Sequence, residues 1–271
     1  MAAETWEPWS TEAAMVADFT AWAQHHGWVA YAETAGWDLL LVRPVDGFQI
    51  GVEAKLRLNV EVLCQVVGHE SRWNRGVGPD CCAILAPRPK TQNGIPTLAR
   101  QLGVVVVTGG APALWGGPKA WKGPSFTPSL PDVDKRFVVT DDEMSAHGWP
   151  ERCPDQRCAL PEYVPDVTGG RSAPVALTPW KVQAIKAAVI LETVGYITRA
   201  DFKALKIDSS RWTQFWLRSI GEKRWAAAPG MPDFKAQHPV NYEQIKADLP
   251  KWRDGIPTLT AAQSSLFGDA A

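Results

Sequence analysis

Residues 37–58 read WDLLLVRPVDGFQIGVEAKLRL, two β-forming runs, WDLLLVRP (37–44) and FQIGVEAKLRL (48–58), separated by Asp46-Gly47. Asp-Gly between apolar runs is a strong short-range hairpin signal. A two-residue turn at 46–47 is expected to set Asp38 opposite Lys55 and Leu40 opposite Glu53. Side chains alternate along a strand, so Glu53 and Lys55 share a face while Ala54 points away, and Asp38 joins them. Two carboxylates a few Å apart repel each other and favour a hard cation with oxygen ligands and retained water. Such a cation lowers the pKa of a bound water, and a neighbouring ammonium offsets charge developing on a phosphate. Asp38, Glu53, Lys55 and a Mg2+ (or Mn2+) ion thus suit phosphodiester hydrolysis. An E-x-K on a strand is also, by itself, a common solvated ion pair.

Working outward, STEAAMVADFTAWAQHH (10–26) opens on a Ser or Thr cap, sets Ala14, Met15, Asp18, Phe19 and Trp22 at helical spacing and closes at Gly27. WVAYAE (28–33) is expected as a strand before Gly36. After the hairpin, 60–73 reads as helix, CCAILAP (81–87) as a buried strand, 95–103 as a short helix and VVVVT (104–108) as another buried strand. The order αβββαβαβ predicts an α/β fold, a mixed sheet flanked by helices.

Asp38, fourteen intervening residues, then Glu53-Ala54-Lys55 on the third strand of an αβββαβ core resembles the PD-(D/E)XK nuclease superfamily over about 10–110. The resemblance implies a restriction-endonuclease-like fold, with Asp38, Glu53 and the Ala54 carbonyl as metal ligands and Lys55 as the catalytic lysine. Trp37 stands where the family name has proline. Gln65 resembles a glutamine that several members place beside the site, and Glu12 and Glu33 match positions at which some members carry a further ligand. Each of these three also reads as an ordinary polar residue, and His69 reads as a surface histidine.

The 271 residues, 45% hydrophobic and 21% charged, can bury a sizeable core. No apolar stretch approaches the roughly 18 residues of a membrane helix, and the acidic start is unlike a signal peptide, so a cytoplasmic protein with no membrane partner is expected. Five cysteines are an odd number for a disulfide scaffold, and Cys153 and Cys158 lack the second pair of a zinc site. A net charge of −1 excludes a uniformly basic nucleic-acid binder. Charge is segregated, however: residues 1–60 carry eight acids and three bases, and residues 171–225 carry ten bases and four acids. Two units with different roles follow. Expected boundaries are 1–112 for the nuclease-like domain, 113–174 for a Pro/Gly-rich connector, 175–255 for the basic domain and 256–271 for a tail.

TPWKVQAIKAAVILETVG, YITRADFKALKID and SSRWTQFWLRSIG, followed by EKRW, predict three short helices, with Thr178-Pro179 opening the first, Gly195 closing it and Ser209 or Ser210 capping the third. This mostly helical pattern resembles a helix-turn-helix, in a winged form or not, with 209–219 presented to a DNA groove. Arg211, Gln214 and Arg218 would face DNA, and Lys203, Lys206, Lys223 and Arg224 its phosphates. A small helical bundle with a charged solvent face, or a protein-binding winged helix, fits the same pattern. Trp212, Phe215 and Trp216 read as core. In the tail, Gln263-Ser-Ser-Leu266-Phe267 resembles the QxxLF motif that binds bacterial sliding clamps, which implies a DNA polymerase sliding clamp as partner and a bacterial or phage source. The same apolar pair also fits a tail docking on its own protein. Together these features predict a Mg2+-dependent deoxyribonuclease acting on DNA, with a homodimer and an RNA-cleaving member as variants. The alternative is a catalytically silent DNA-binding or clamp-binding regulator.

Overall fold

A computed structural model describes residues 9–72, 76–88, 94–112, 121–132, 148–166 and 177–253. The chain divides into two compact units, Met1–Leu160 with Val167–Ala176 and Pro161–Asp166 with Leu177–Ala271.

Unit 1 is α/β. It runs α1 (Glu12–His25), β1 (Val29–Thr34), β2 (Trp37–Val42), β3 (Gln49–Ala54), α2 (Val60–Arg72), β4 (Cys81–Pro87), α3 (Ile95–Gln101), β5 (Val104–Pro112) and β6 (Pro124–Thr127). The six strands lie side by side in chain order. β1, β2 and β3 are antiparallel, β3, β4 and β5 are parallel, and β6 returns antiparallel to β5, so the sheet is mixed. Every residue of β3 and all but the last of β4 are buried, as expected for strands covered on both faces. Met15, Phe19 and Trp22 of α1 pack with Leu39, Leu41, Ile50 and Val52 in one core cluster. Val62, Leu63 and Val66 of α2 and Ala99 of α3 pack with Leu40, Val42 and Ile84 in another.

The hairpin that decides the fold forms, with a different turn. Leu40 pairs with Gly51 and Leu39 with Val52, a shift of two residues from the expected register, so Asp38 is not opposite Lys55 nor Leu40 opposite Glu53. Residues 44–47 form a wider loop, in which the Arg43 N–H donates to Phe48 O at 2.8 Å and the Gly47 N–H to Arg43 O at 2.8 Å. The expected register places Pro44 inside the ladder, where it has no N–H to give. The tight two-residue turn is instead Ala35-Gly36, both with positive φ, joining Thr34 to its partner Trp37.

The expected connector is a further correction. Its residues 124–127 are β6, Phe126 and Trp149 are buried in the α1-side core, and Gln49 exchanges hydrogen bonds with the Cys158 backbone at 2.9 and 3.0 Å. Arg157 holds Asp80 through two bonds of 2.8 and 3.1 Å. Pro and Gly interrupt local structure here, but single aromatic side chains suffice to bind the segment to the core.

Unit 2 runs α4 (Pro179–Val194), β7 (Ile197–Thr198), α5 (Arg199–Ala204), a π-helix (Trp212–Trp216), β8 (Leu217–Gly221), β9 (Arg224–Ala227), α6 (Phe234–Gln237), α7 (Pro239–Ala247) and α8 (Leu249–Trp252). Thr178 caps α4 through a bond from the Lys181 N–H at 3.2 Å, and Gly195 ends it in the left-handed region. α4 is buried almost all round, at the centre of a cluster with Phe202, Trp212, Phe234 and Ile245. The third helix is shorter than expected. It stops at Trp216, so Arg218 lies on β8, and EKRW forms the turn and start of a hairpin in a three-stranded sheet ordered β7-β9-β8. The cap is also different: Asp208 Oδ1 accepts from Ser210 N–H and Oγ at 2.9 and 2.7 Å.

Candidate functional site

Asp38 is the second residue of β2. The Trp37 ring before it lies against Gly51 of β3, where any β-carbon would collide with the indole, so a glycine in this buried strand lets the two strands close up beside Asp38. Asp38 Oδ2 accepts a 2.8 Å hydrogen bond from the Ala54 N–H. The side chain thus takes a backbone donor at the end of the β2–β3 ladder. The pairs Leu39–Val52 and Ala32–Leu39, each continued by one residue, set Asp38 between Glu53 of β3 and Glu33 of β1. Glu33 has φ +49°, a left-handed conformation uncommon for a non-glycine residue, and its charge acts on Asp38.

Burial, and next the negative charge of Glu53, push the Asp38 carboxyl up to about 6; the Ala54 N–H and the Lys55 charge pull the other way, and Glu33 adds to the rise. Glu53 itself is buried at 7% exposure. Lys55 follows the last residue of β3, and its N–H donates to Leu85 O at 2.9 Å. Its ammonium lies 3.3 Å from Glu12 Oε2 at the start of α1. Burial works against the charged lysine, but the charges of Asp38, Glu12 and Glu53 outweigh it and raise its pKa.

The structure therefore gathers Asp38, Glu53, Lys55, Glu12 and Glu33, with the Ala54 main chain among them. Gln65 is exposed on α2. His69 lies on α2, and its side chain falls outside the described residues. Among the described residues no three His, Cys, Asp or Glu side chains form a ready cation cage. Of these groups, Asp38 and Glu53 are the neighbouring carboxylates that could share a cation.

In unit 2 Arg211, Gln214, Arg218, Lys203, Lys206, Lys223 and Arg224 are all exposed. Arg224 is partly engaged, with Glu222 at 3.4 Å and over the Tyr196 ring at 4.7 Å. Lys186, counted among the ten bases, is buried against Glu162 at 2.8 Å, so the positive face is smaller than the count. Trp212 is core at 1% exposure and Trp216 packs on it, but Phe215 is not core: it is 60% exposed. A one-residue difference on a helix reverses the environment, and no pattern in WTQFW marks which aromatic turns out. Gln263, Leu266 and Phe267 of the tail lie outside the described residues.

None of the protein-family models, curated proteins or solved structures compared with the chain matches it. Among the described residues no helix is long and apolar enough to cross a membrane.

Proposed function

We propose that unit 1 is a Mg2+-dependent nuclease of the restriction-endonuclease-like PD-(D/E)XK type, hydrolysing phosphodiester bonds in DNA, and that unit 2 is a winged helix-turn-helix module that binds the DNA. The observation that carries this reading is the buried Asp38–Glu53 pair, in which burial, and next the charge of Glu53, push the Asp38 carboxyl up to about 6, with the Lys55 ammonium on the adjoining backbone. Carboxylates crowded in this way beside a lysine are poor for stability and well suited to a divalent cation.

A Mg2+ or Mn2+ ion bound there would supply a water of lowered pKa and a positive charge against a phosphate oxygen. Asp38, Glu53 and the Ala54 carbonyl would hold it, with Glu12 and Glu33 as outer partners. Asp38 must give up its proton to do so. The Lys55 Nζ, steadied by Glu12, donates hydrogen bonds toward the attacking water or the phosphate as negative charge builds. Arg211 and Arg218 of unit 2 would neutralise backbone phosphates. The QxxLF-like tail would tether the enzyme to a sliding clamp and raise its local concentration on DNA.

The test is cleavage of supercoiled, linear, single-stranded and branched DNA with Mg2+, Mn2+ or EDTA, comparing wild type with Lys55→Ala. Metal-dependent cleavage that disappears in the variant is expected. Absence of cleavage by the wild type on every substrate overturns the nuclease reading and leaves a DNA-binding or clamp-binding regulator. Arg211→Ala with Arg218→Ala should flatten the dependence of log Kobs on log salt by about 2. An unchanged slope would move the DNA face elsewhere.

A further inference from the structure

Phe215 is the most exposed aromatic side chain among the described residues. Its own helix shows that the core does not need it. Trp212, at 1% exposure, stacks with Phe234 at 5.9 Å, and Trp216 packs edge-on to Trp212 at 5.2 Å and to Phe234 at 6.3 Å. On this π-helix Trp212 and Trp216 turn to the inner side, the Arg211 guanidinium lies 5.9 Å from the Trp216 ring centroid, and Phe215 is turned out. Gln214 and Arg218 beside them are exposed too, and residues 209–221 contain two arginines and no carboxylate.

A phenyl ring has no group to donate to a phosphate or a base edge. What it offers a nucleic acid is its face. In continuous duplex the faces of the bases are already covered by their neighbours, leaving a thymine methyl as the main apolar contact. In single-stranded or splayed DNA each base presents a free face, and stacking on an aromatic side chain is favourable whatever the base. The arginines before and after the ring in the chain supply charge for the backbone, and Trp180, 46% exposed and edge-on to Trp216 at 6.5 Å, offers a second exposed ring in the same unit.

We infer that Phe215 is a stacking platform for an unpaired DNA base, so that unit 2 prefers DNA with single-stranded or splayed character to continuous duplex. This rests on the reading of unit 2 as the DNA-binding part and gives the substrate class of that reading.

The experiment uses the full chain in EDTA, so that binding is read without cleavage. Three fluorescent probes of matched sequence are compared: a 20-nucleotide single strand, its duplex, and a splayed Y carrying 2-aminopurine at the first unpaired position. Wild type should bind the single strand and the Y more tightly than the duplex and quench the 2-aminopurine. Phe215→Ala should bind the single strand and the Y about tenfold more weakly and lose the quench, with duplex affinity within twofold; Phe215→Trp should restore both. Equal loss on all three probes, or no loss on any, overturns the inference. So does a wild type that self-associates in sedimentation while Phe215→Ala does not, because the ring then belongs to an interface between copies. Cleavage is scored separately with Mg2+. A chain that cleaves DNA but shows no selective effect of Phe215→Ala retains the nuclease reading and loses this one, and a chain with the selective effect but no cleavage does the reverse.

Discussion

The two ends of the β2–β3 hairpin treat an aspartate in opposite ways. At the loop end, Asp46 accepts from Arg43 Nε at 2.9 Å and from Arg43 Nη2 at 2.6 Å, and from the Phe48 N–H at 3.2 Å. The Arg43 hydrogen bonds hold its carboxyl down at about 2, and Arg43 is itself set against the Trp28 and Phe48 rings. At the open end, Asp38 is buried beside Glu53 and within the influence of Glu33, with one backbone donor and a lysine shared among several acids, and its carboxyl rises to about 6. The same side chain in the same hairpin is matched at one end and crowded at the other. One carboxylate of the hairpin is neutralised by its partners and the other is crowded by its neighbours, and it is on the crowded one that the proposed function rests.

The largest test of that contrast is catalytic. Lys55→Met and Glu53→Gln should each lower the DNA cleavage rate by roughly a hundredfold or more, the scale of removing one preorganised electrostatic group, while circular dichroism melting stays close to wild type. Asp46→Asn should leave the cleavage rate within about threefold. Loss of cleavage in Asp46→Asn equal to that in Lys55→Met would erase the distinction between the two ends.

A smaller effect is read in stability without DNA or metal. The Asp38 carboxyl has a folded pKa above its ordinary 3.8, so the folded state holds its proton longer than the unfolded chain, and stability falls as pH rises from about 4 through 6. Asp38→Asn keeps an acceptor for the Ala54 N–H and removes the charge. It should therefore stabilise the metal-free protein at pH 8 by on the order of 2 kcal/mol and leave it nearly unchanged at pH 4, measured by urea unfolding at both values. The stabilisation of wild type by Mg2+ should likewise grow between pH 5 and 7 as Asp38 sheds its proton, and vanish in the variant. Destabilisation by Asp38→Asn at pH 8 would make Asp38 a structural residue like Asp46.

The smallest effect has the opposite sign. Asp46 has a lowered pKa, so its contribution is present above about 4 and lost as pH falls through about 2. Asp46→Asn should destabilise the protein at pH 7 by about 0.5–1 kcal/mol, since the ion pair reaches solvent, and the difference should shrink toward pH 2 in the same urea titration. A pH-independent difference would assign the loss to the loop hydrogen bonds rather than to charge.

Much of this was legible in residues 10–108, and the reason differs from element to element. α1 and α4 carry their caps within one turn, at Thr11 and Thr178, so local chemistry alone announces them. The carboxylate pair survived a wrong register because the shift was two residues, which matches the period of a strand and keeps each side chain on its side. β6 was not legible: PSFT is short and flanked by Pro and Gly, and it becomes a strand because β5 offers an edge and the α1-side core takes Phe126. The sequence pattern carries the third helix of unit 2 three residues too far, to 219, because Arg218 continues the helical spacing, whereas pairing with Ala226 draws it into β8.

The sequence by itself determined the order of helices and strands over residues 10–108, the caps of α1 and α4, and the placing of Asp38, Glu53 and Lys55 at spacings that let them meet. Each of these depends on a residue and its neighbours within a turn or a strand period. Tertiary structure alone decided which turn of the sheet was tight, how deeply Asp38 would be buried, and that Phe215 would face out while Trp212 and Trp216 faced in. Those outcomes depend on burial under elements packed together from distant parts of the chain, which is not a property of any local window.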